Sequence, residues 1–132
     1  MKSPTFDEKG RDTKTFAPFE LHDCRDTEWK DVRLSFHDWG WLHGRFGTDT
    51  VDGYYLNGYG VEGLVKAALA DAGVEVEGDE EIAFNSEGDT CHIHFRTVEA
   101  ASRAAELAAA MFADEKTLAR VIAVARERGF ED

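Results

Sequence analysis

A chain of 132 residues has the length of one ordinary domain, and an apolar content of 42% with 11% aromatic residues excludes a wholly disordered protein. Its formal net charge of −12 disfavours binding to nucleic acids or to anionic membranes, because their phosphate groups would be repelled. The same charge favours a basic protein partner, a metal cation or plain solubility.

The N-terminal half carries patterns that are typical of β structure. Residues 1–14 are polar, and we expect them to form a flexible N-terminal segment ahead of a single domain over residues 15–132. A weak alternation predicts a strand over 15–21, and a clear alternation of apolar and polar residues predicts another over 29–37. The region 38–55, rich in glycine and aromatic residues, suggests one or two further short strands.

The C-terminal half alternates between helical and strand periodicity. Thr97 and Asp114 are suited to be helix N-caps, and Gly73 and Gly129 to end helices. The predicted elements are a helix over about 60–72, a hairpin of strands 82–85 and 90–97, and two helices over about 97–112 and 114–129. This order indicates an α+β domain with an antiparallel sheet covered on one face by about three helices.

Cysteine content and the N-terminus bear on the cellular compartment. Cys24 and Cys91 are too few for a disulfide framework, and neither belongs to a CxxC pair. The first ten residues lack the apolar core of a signal peptide, and no run approaches the roughly 20 apolar residues of a spanning helix. We therefore expect free thiols and a soluble protein of the cytoplasm.

Acidic residues are concentrated between Asp71 and Asp89, an interval without a single Lys or Arg. A charge run of one sign is typical of a solvated edge or of a surface that docks a cation. The residues we expect to attract a basic partner are Glu75, Glu77, Asp79, Glu80 and Glu81. Aromatic residues usually lie in the core but make strong interface anchors when exposed. The candidate anchors are Trp39, Trp41, Tyr54 and Tyr55.

Evidence for catalysis is weak. His92 and His94 share the polar face of a predicted strand, a spacing compatible with two metal ligands, but no third ligand is fixed by the sequence. No G-x-S-x-G elbow is present, and the glycines between Gly53 and Gly63 do not form a Walker loop. Gly58, Gly60 and Gly63 do have the spacing G-x-G-x-x-G, but Glu62 in the first helical turn would repel a phosphate group. We therefore expect no enzyme and no cofactor. A small metal-dependent hydrolase using the two histidines is the alternative, and a regulatory module that dimerises through a sheet edge is a third hypothesis.

Two motifs in the middle of the chain resemble the bacterial family called immunity protein 51. They are Asn57-Gly58-Tyr59 leading into an apolar helix, and the run from Ile82 to Gly88 before a strand. An Ala/Glu-rich helix and a final Leu-containing helix follow, so the resemblance covers about residues 52–128.

The resemblance implies a small protein, encoded beside a polymorphic toxin, that binds the cognate toxin domain and blocks it without catalytic residues of its own. Many toxin domains act on phosphate-bearing substrates and present basic clefts, to which an acidic protein would be attracted. The sequence does not indicate an oligomeric state.

Overall fold

The computed structural model describes residues 3–76 and 82–131. Within these ranges the chain forms a five-stranded antiparallel sheet in the order β1-β2-β3-β7-β6, a two-stranded ribbon of β4 and β5, and four helices. The predicted α+β class and antiparallel sheet are confirmed. The elements in chain order are β1 (Arg11–Asp12), β2 (Glu20–Cys24), β3 (Asp31–Phe36), α1 (Trp39–Phe46), β4 (Thr50–Val51), β5 (Tyr54–Tyr55), α2 (Gly58–Asp71), β6 (Ile82–Phe84), β7 (Cys91–Phe95), α3 (Val98–Ala113) and α4 (Glu115–Arg128).

The core lies on one face of the sheet. Val32, Leu34 and Phe36 of the central strand β3 alternate with polar residues, and all three are fully buried. Their partners on β7 are equally apolar, as in the pair Leu34 and Ile93. α3 packs on β2, β3 and β7, α2 packs on β7, and α4 packs on α2 and α3. The helical layer is therefore built mainly from α2, α3 and α4.

The two predicted N-caps are confirmed. The hydroxyl of Thr97 accepts a hydrogen bond from the backbone N–H of Ala100 (3.1 Å), and the carboxylate of Asp114 accepts one from Lys116 (2.9 Å). Gly129 ends α4 in the left-handed conformation with φ of 76°. Local signals therefore fix the C-terminal helices.

The strands expected over 38–55 are partly wrong, because residues 39–46 form helix α1. Asp38 caps this helix by accepting a hydrogen bond from the N–H of Trp41, and Gly47 ends it with φ of 72°. Leu42 of α1 is fully buried. The ring of Trp39 contacts Phe36, and the ring of Trp41 contacts Phe112. Tertiary packing thus overrides the strand preference of aromatic residues. The expectation of one or two short strands is correct for the end of this region, where β4 and β5 form the short ribbon.

The strand predicted over 15–21 is also misplaced, because β2 begins only at Glu20. An earlier strand, β1, lies inside the segment 1–14 that the sequence predicts to be flexible. Asp12 of β1 is buried, and its carboxylate accepts hydrogen bonds from the N–H groups of Thr5, Lys14 and Thr15 at 2.8 to 3.0 Å. Burial opposes its ionisation, but these hydrogen bonds lower its pKa to about 2. The sheet thus extends into the N-terminal segment.

Candidate functional site

A cleft opens at the end of the sheet, where β3 leads into α1. It has a volume of about 460 Å³ and is lined by Thr13, Ala17, Pro18, Glu20, His37, Asp38 and Trp41. We call it the α1 cleft. Of the seven described residues that line it, none is Lys or Arg. An indole, two carboxylates and one imidazole therefore share an open concave surface.

The indole of Trp41 forms one wall of the α1 cleft and remains 39% exposed. The ring packs edge-on against Phe112 with 6.4 Å between ring centroids, and the backbone N–H of Trp41 donates to the carboxylate of the cap Asp38 at 3.1 Å. Arg45, one turn further along α1, donates to the carbonyl oxygens of Phe112 and Ala113. The exposed indole is therefore carried by a helix that is anchored at both ends.

Glu20 forms another wall of the α1 cleft. Its side chain is only 26% exposed, and its Oε2 lies 3.6 Å from Nε2 of His37, which is too long for a hydrogen bond. Throughout the described part of the chain, no donor lies within hydrogen-bonding distance of this carboxylate, although a carboxylate can accept about four hydrogen bonds. Glu20 therefore keeps acceptor capacity that faces the cleft.

The two tryptophans proposed as anchors are not equivalent. An α-helix turns by about 100° per residue, so Trp39 and Trp41 point in different directions, and not to the same side as an extended chain would place them. Trp39 is half-buried, lies 5.0 Å from the ring of Phe36, and donates from its indole N–H to the backbone oxygen of Asp89 (2.7 Å). Trp39 therefore links α1 to the hairpin by a hydrogen bond, whereas Trp41 is exposed to solvent.

The two neighbouring tyrosines also differ. Tyr54 is fully buried, and its hydroxyl donates to the carbonyl oxygen of Gly60, so this predicted anchor is corrected to a core residue. Successive strand residues point to opposite faces, which leaves Tyr55 outside at 56% exposure. Tyr59 and Trp29, which the sequence did not single out, are 43% and 63% exposed. Tyr59 lies in the first turn of α2, and Trp29 lies just before β3. These positions at the ends of elements are the signals from which their exposure could have been expected.

Four of the five acidic residues that we expect to attract a basic partner lie outside the described residues. Glu75 is exposed, and Asp71 pairs with Arg120 at 3.1 Å. Glu77, Asp79, Glu80 and Glu81 are these four residues, in the range 77–81. Their role in attracting a partner stays a prediction.

His92 and His94 lie on the face of the sheet opposite the helices, with 4.7 Å between their ring centroids. Nδ1 of His94 lies 3.0 Å from Oδ2 of Asp31, which also pairs with Arg33. Burial, followed by the charges of His94 and Arg33, lowers the pKa of His92. Within residues 3–76 and 82–131, no group of three or more His, Cys, Asp or Glu side chains is arranged to hold a metal ion.

Both cysteines are buried and free, and burial raises the pKa of Cys91 to about 12. Thiolate chemistry at Cys91 is therefore disfavoured near neutral pH. Among the four described helices, none combines the length and the apolar content that crossing a membrane requires.

Comparison with known proteins adds no relative. The chain matches no family model, no curated protein and no solved structure. The resemblance to immunity protein 51 therefore depends on the two motifs and on the order of the helices that follow them.

Proposed function

We propose that this protein is an immunity protein, which binds a cognate bacterial toxin domain in the cytoplasm and neutralises it by covering a basic site. The observation that carries the proposal is the exposed indole of Trp41 beside the carboxylates of Glu20 and Asp38, on a chain with a net charge of −12. The motifs that resemble immunity protein 51 favour the same class of protein. The proposed action is binding alone, with no catalytic step.

Exposed aromatic side chains on a fixed scaffold are suited to this role. A few buried aromatic residues carry most of the binding energy in many protein interfaces, and they do so best when their conformation is set before binding. Trp41 meets this condition because α1 is anchored to α3 through Arg45. Tyr55 offers a second exposed ring.

The acidic run would act at longer range. Glu75 is exposed, and the sequence places Glu77, Asp79, Glu80 and Glu81 directly after it. Negative charge of this density accelerates the encounter with a basic surface more than it strengthens the final complex. The steering residues and the aromatic anchors would therefore affect different stages of binding.

The class of function is tested with the protein encoded next to this chain. The expected result is that its C-terminal domain stops bacterial growth when expressed alone, and that co-expression of this chain restores growth and yields a complex that co-purifies. A neighbouring protein that is harmless, or a toxic one that neither binds this chain nor is neutralised by it, would overturn the proposal.

The steering role is tested by charge reversal against a control variant of equal net charge. Replacing Glu77, Asp79 and Glu80 by Lys should slow association by roughly tenfold at about 50 mM salt and by much less at about 300 mM. The matched control replaces three scattered exposed residues, Glu8, Glu28 and Glu127, by Lys. Equal association rates for the two triple variants would remove the steering role, but would leave neutralisation of the toxin standing.

A further inference from the structure

We infer that the α1 cleft binds an arginine side chain of the partner protein, with the guanidinium stacked on Trp41 and hydrogen-bonded to Glu20. The inference rests on the proposed function and names the chemical group on the toxin that this chain recognises. It follows from the juxtaposition of an exposed indole, a carboxylate that accepts no hydrogen bond from the described residues, and an open volume of about 460 Å³.

The charges of the α1 cleft select a cation. Glu20 and Asp38 both line it, and among the described residues that do so there is neither Lys nor Arg. The nearest nitrogen of His37 stays 3.6 Å from Glu20, so the imidazole does not occupy the acceptor positions of that carboxylate. A half-buried carboxylate without a donor is stabilised when a ligand supplies one, and charge-assisted hydrogen bonds are the stronger kind.

The shape and the aromatic wall select a planar cation over a compact one. A guanidinium can stack flat on an indole while its edge donates two parallel hydrogen bonds to a carboxylate, and a lysine ammonium cannot do both. Ala17 and Pro18 add apolar surface against which the methylene groups of an arginine side chain can pack. The volume lies in the lower part of the range of roughly 300–1,000 Å³ that is usual for binding pockets.

The chain itself contains the same arrangement elsewhere. Trp29 is 63% exposed, and the guanidinium carbon of Arg33 lies 5.4 Å from its ring centroid. Over the ring of Trp41, by contrast, neither Lys nor Arg from the described ranges is positioned. Among the described residues, an internal arginine therefore stacks on Trp29, whereas none stacks on Trp41.

The walls of the α1 cleft are set before any ligand arrives. Glu20 is held on β2, where it pairs with Ser35 of the central strand, and Trp41 is held by the Asp38 cap and by Phe112. Binding would therefore immobilise little besides the arginine side chain, which lowers the entropic cost.

The test uses a small probe and needs no toxin. The ¹⁵N-labelled protein is titrated with N-acetyl-arginine methylamide, and the backbone amide signals of His37 and Asp38, which line the α1 cleft, are followed by NMR in every variant. The indole N–H signal of Trp41 is followed as well wherever that residue is retained. We expect a saturable shift at roughly millimolar concentration, and at least roughly tenfold weaker binding of the citrulline analogue, which has the same shape without the charge. Trp41→Leu and Glu20→Gln should each weaken binding by about tenfold, whereas Trp29→Leu should leave it unchanged.

Three outcomes would overturn the inference: equal shifts with the citrulline probe, unchanged binding in both cleft variants, or equally tight binding of N-acetyl-lysine methylamide. Folding of each variant is checked by its dispersed amide spectrum, and Glu20→Gln preserves the size and shape of the side chain. Because no toxin is present, a negative result leaves the immunity function open. Failure of the neighbour-encoded domain to bind would conversely leave a positive probe result intact.

Discussion

Two segments of this molecule have similar compositions, but the glycines of one are closely packed and a glycine of the other lies in open space. Residues 38–46, which form α1 and its cap, and residues 54–63, which lead from β5 into α2, both combine glycines with aromatic residues. Both also begin a helix at a side-chain cap, Asp38 in one and Asn57 in the other. They differ in what the glycines touch.

The glycines of the second segment are required by packing. A Cβ on Gly58 would overlap the backbone oxygen of Glu87 and approach that of Thr90 to 2.8 Å, and a Cβ on Gly60 would overlap the backbone oxygen of Tyr55. In α1, a Cβ on Gly44 would meet nothing within 4 Å. The same residue type therefore permits close approach of two backbones in one segment and lies on an open surface in the other.

The difference shows that a conspicuous motif need not be a binding surface. Asn57-Gly58-Tyr59 is one of the motifs that carry the family resemblance. Its Gly58 packs against the backbone of the hairpin, so this part of the motif serves packing and not binding. The α1 cleft lies beside the segment whose secondary structure the sequence did not predict correctly. Substitutions at buried positions and at exposed positions of the two segments test this difference.

The largest effect is expected at the two adjacent tyrosines. Tyr54→Ala should lower the free energy of unfolding by about 3–5 kcal/mol, because it removes a fully buried aromatic ring. Tyr55→Ala, at a 56% exposed position of the same strand, should lower it by about 1 kcal/mol or less. Urea denaturation of both variants gives the comparison. Similar losses would mean that the segment is not divided into an inner and an outer face.

The glycines provide the next test. Gly58→Ala should destabilise the fold by about 3 kcal/mol, because two backbone oxygens of the hairpin turn must move away from the new methyl group. Gly44→Ala is the matched control and should stabilise by roughly 0.5–1 kcal/mol, because alanine is the better helix former where space is free. A neutral Gly58→Ala would contradict the close approach of α2 to the hairpin.

The sequence predicted those parts of the fold that depend on local signals. The period-two alternation of β3, the hairpin of β6 and β7, and the capped helices α3 and α4 are all found close to their predicted bounds. Asp114, for example, accepts hydrogen bonds from the N–H of Lys116 and the hydroxyl of Thr117, both in the first turn of α4. Its role as a cap therefore does not depend on the rest of the chain.

The parts that the sequence did not predict depend on distant contacts. α1 has only eight residues, two of them glycine, so its helicity comes from contacts such as that of Trp41 with Phe112, which lies far along the chain. The choice between Tyr54 and Tyr55 for the core depends on which face of the ribbon meets α2, which alternation alone does not decide. Glu20 was not singled out because its acceptor capacity is visible only once His37 and Asp38 are in place.

Asp12 holds the chain on both sides of Thr13, a residue that lines the α1 cleft, because its carboxylate accepts hydrogen bonds from the N–H groups of Thr5, Lys14 and Thr15. The pKa of Asp12 is lowered from 3.8 to about 2, so the folded state binds this proton less readily than the unfolded chain. Its contribution is therefore fully present above about pH 4 and is lost as the pH falls from 4 towards 2. At about 1.4 kcal/mol per pKa unit, the contribution is about 2 kcal/mol near neutral pH.

Asp12→Ala should accordingly lose about 2 kcal/mol of stability at about pH 7, and its deficit relative to the parent should shrink as the pH falls below about 4. Urea denaturation across the pH range in which both proteins fold measures this difference. Asp26→Ala, at an exposed position, should show no comparable deficit. A deficit that stays constant with pH would assign the role of Asp12 to packing instead of to its charge.

The smallest effects are expected at the two caps, where the segments should behave alike. Asn57→Ala and Asp38→Ala each remove one hydrogen bond, from Gly60 N–H at 2.7 Å and from Trp41 N–H at 3.1 Å, and should each cost about 1 kcal/mol. Asp38→Asn keeps the cap and removes only the charge, so its stability should stay within about 0.5 kcal/mol of the parent. Thermal unfolding measures all three, and the NMR signal of the Trp41 indole should move with Asp38→Ala but not with Asn57→Ala. If Asp38→Asn destabilises as much as Asp38→Ala, the carboxylate stabilises α1 through its charge, and its availability to a ligand in the α1 cleft is reduced accordingly.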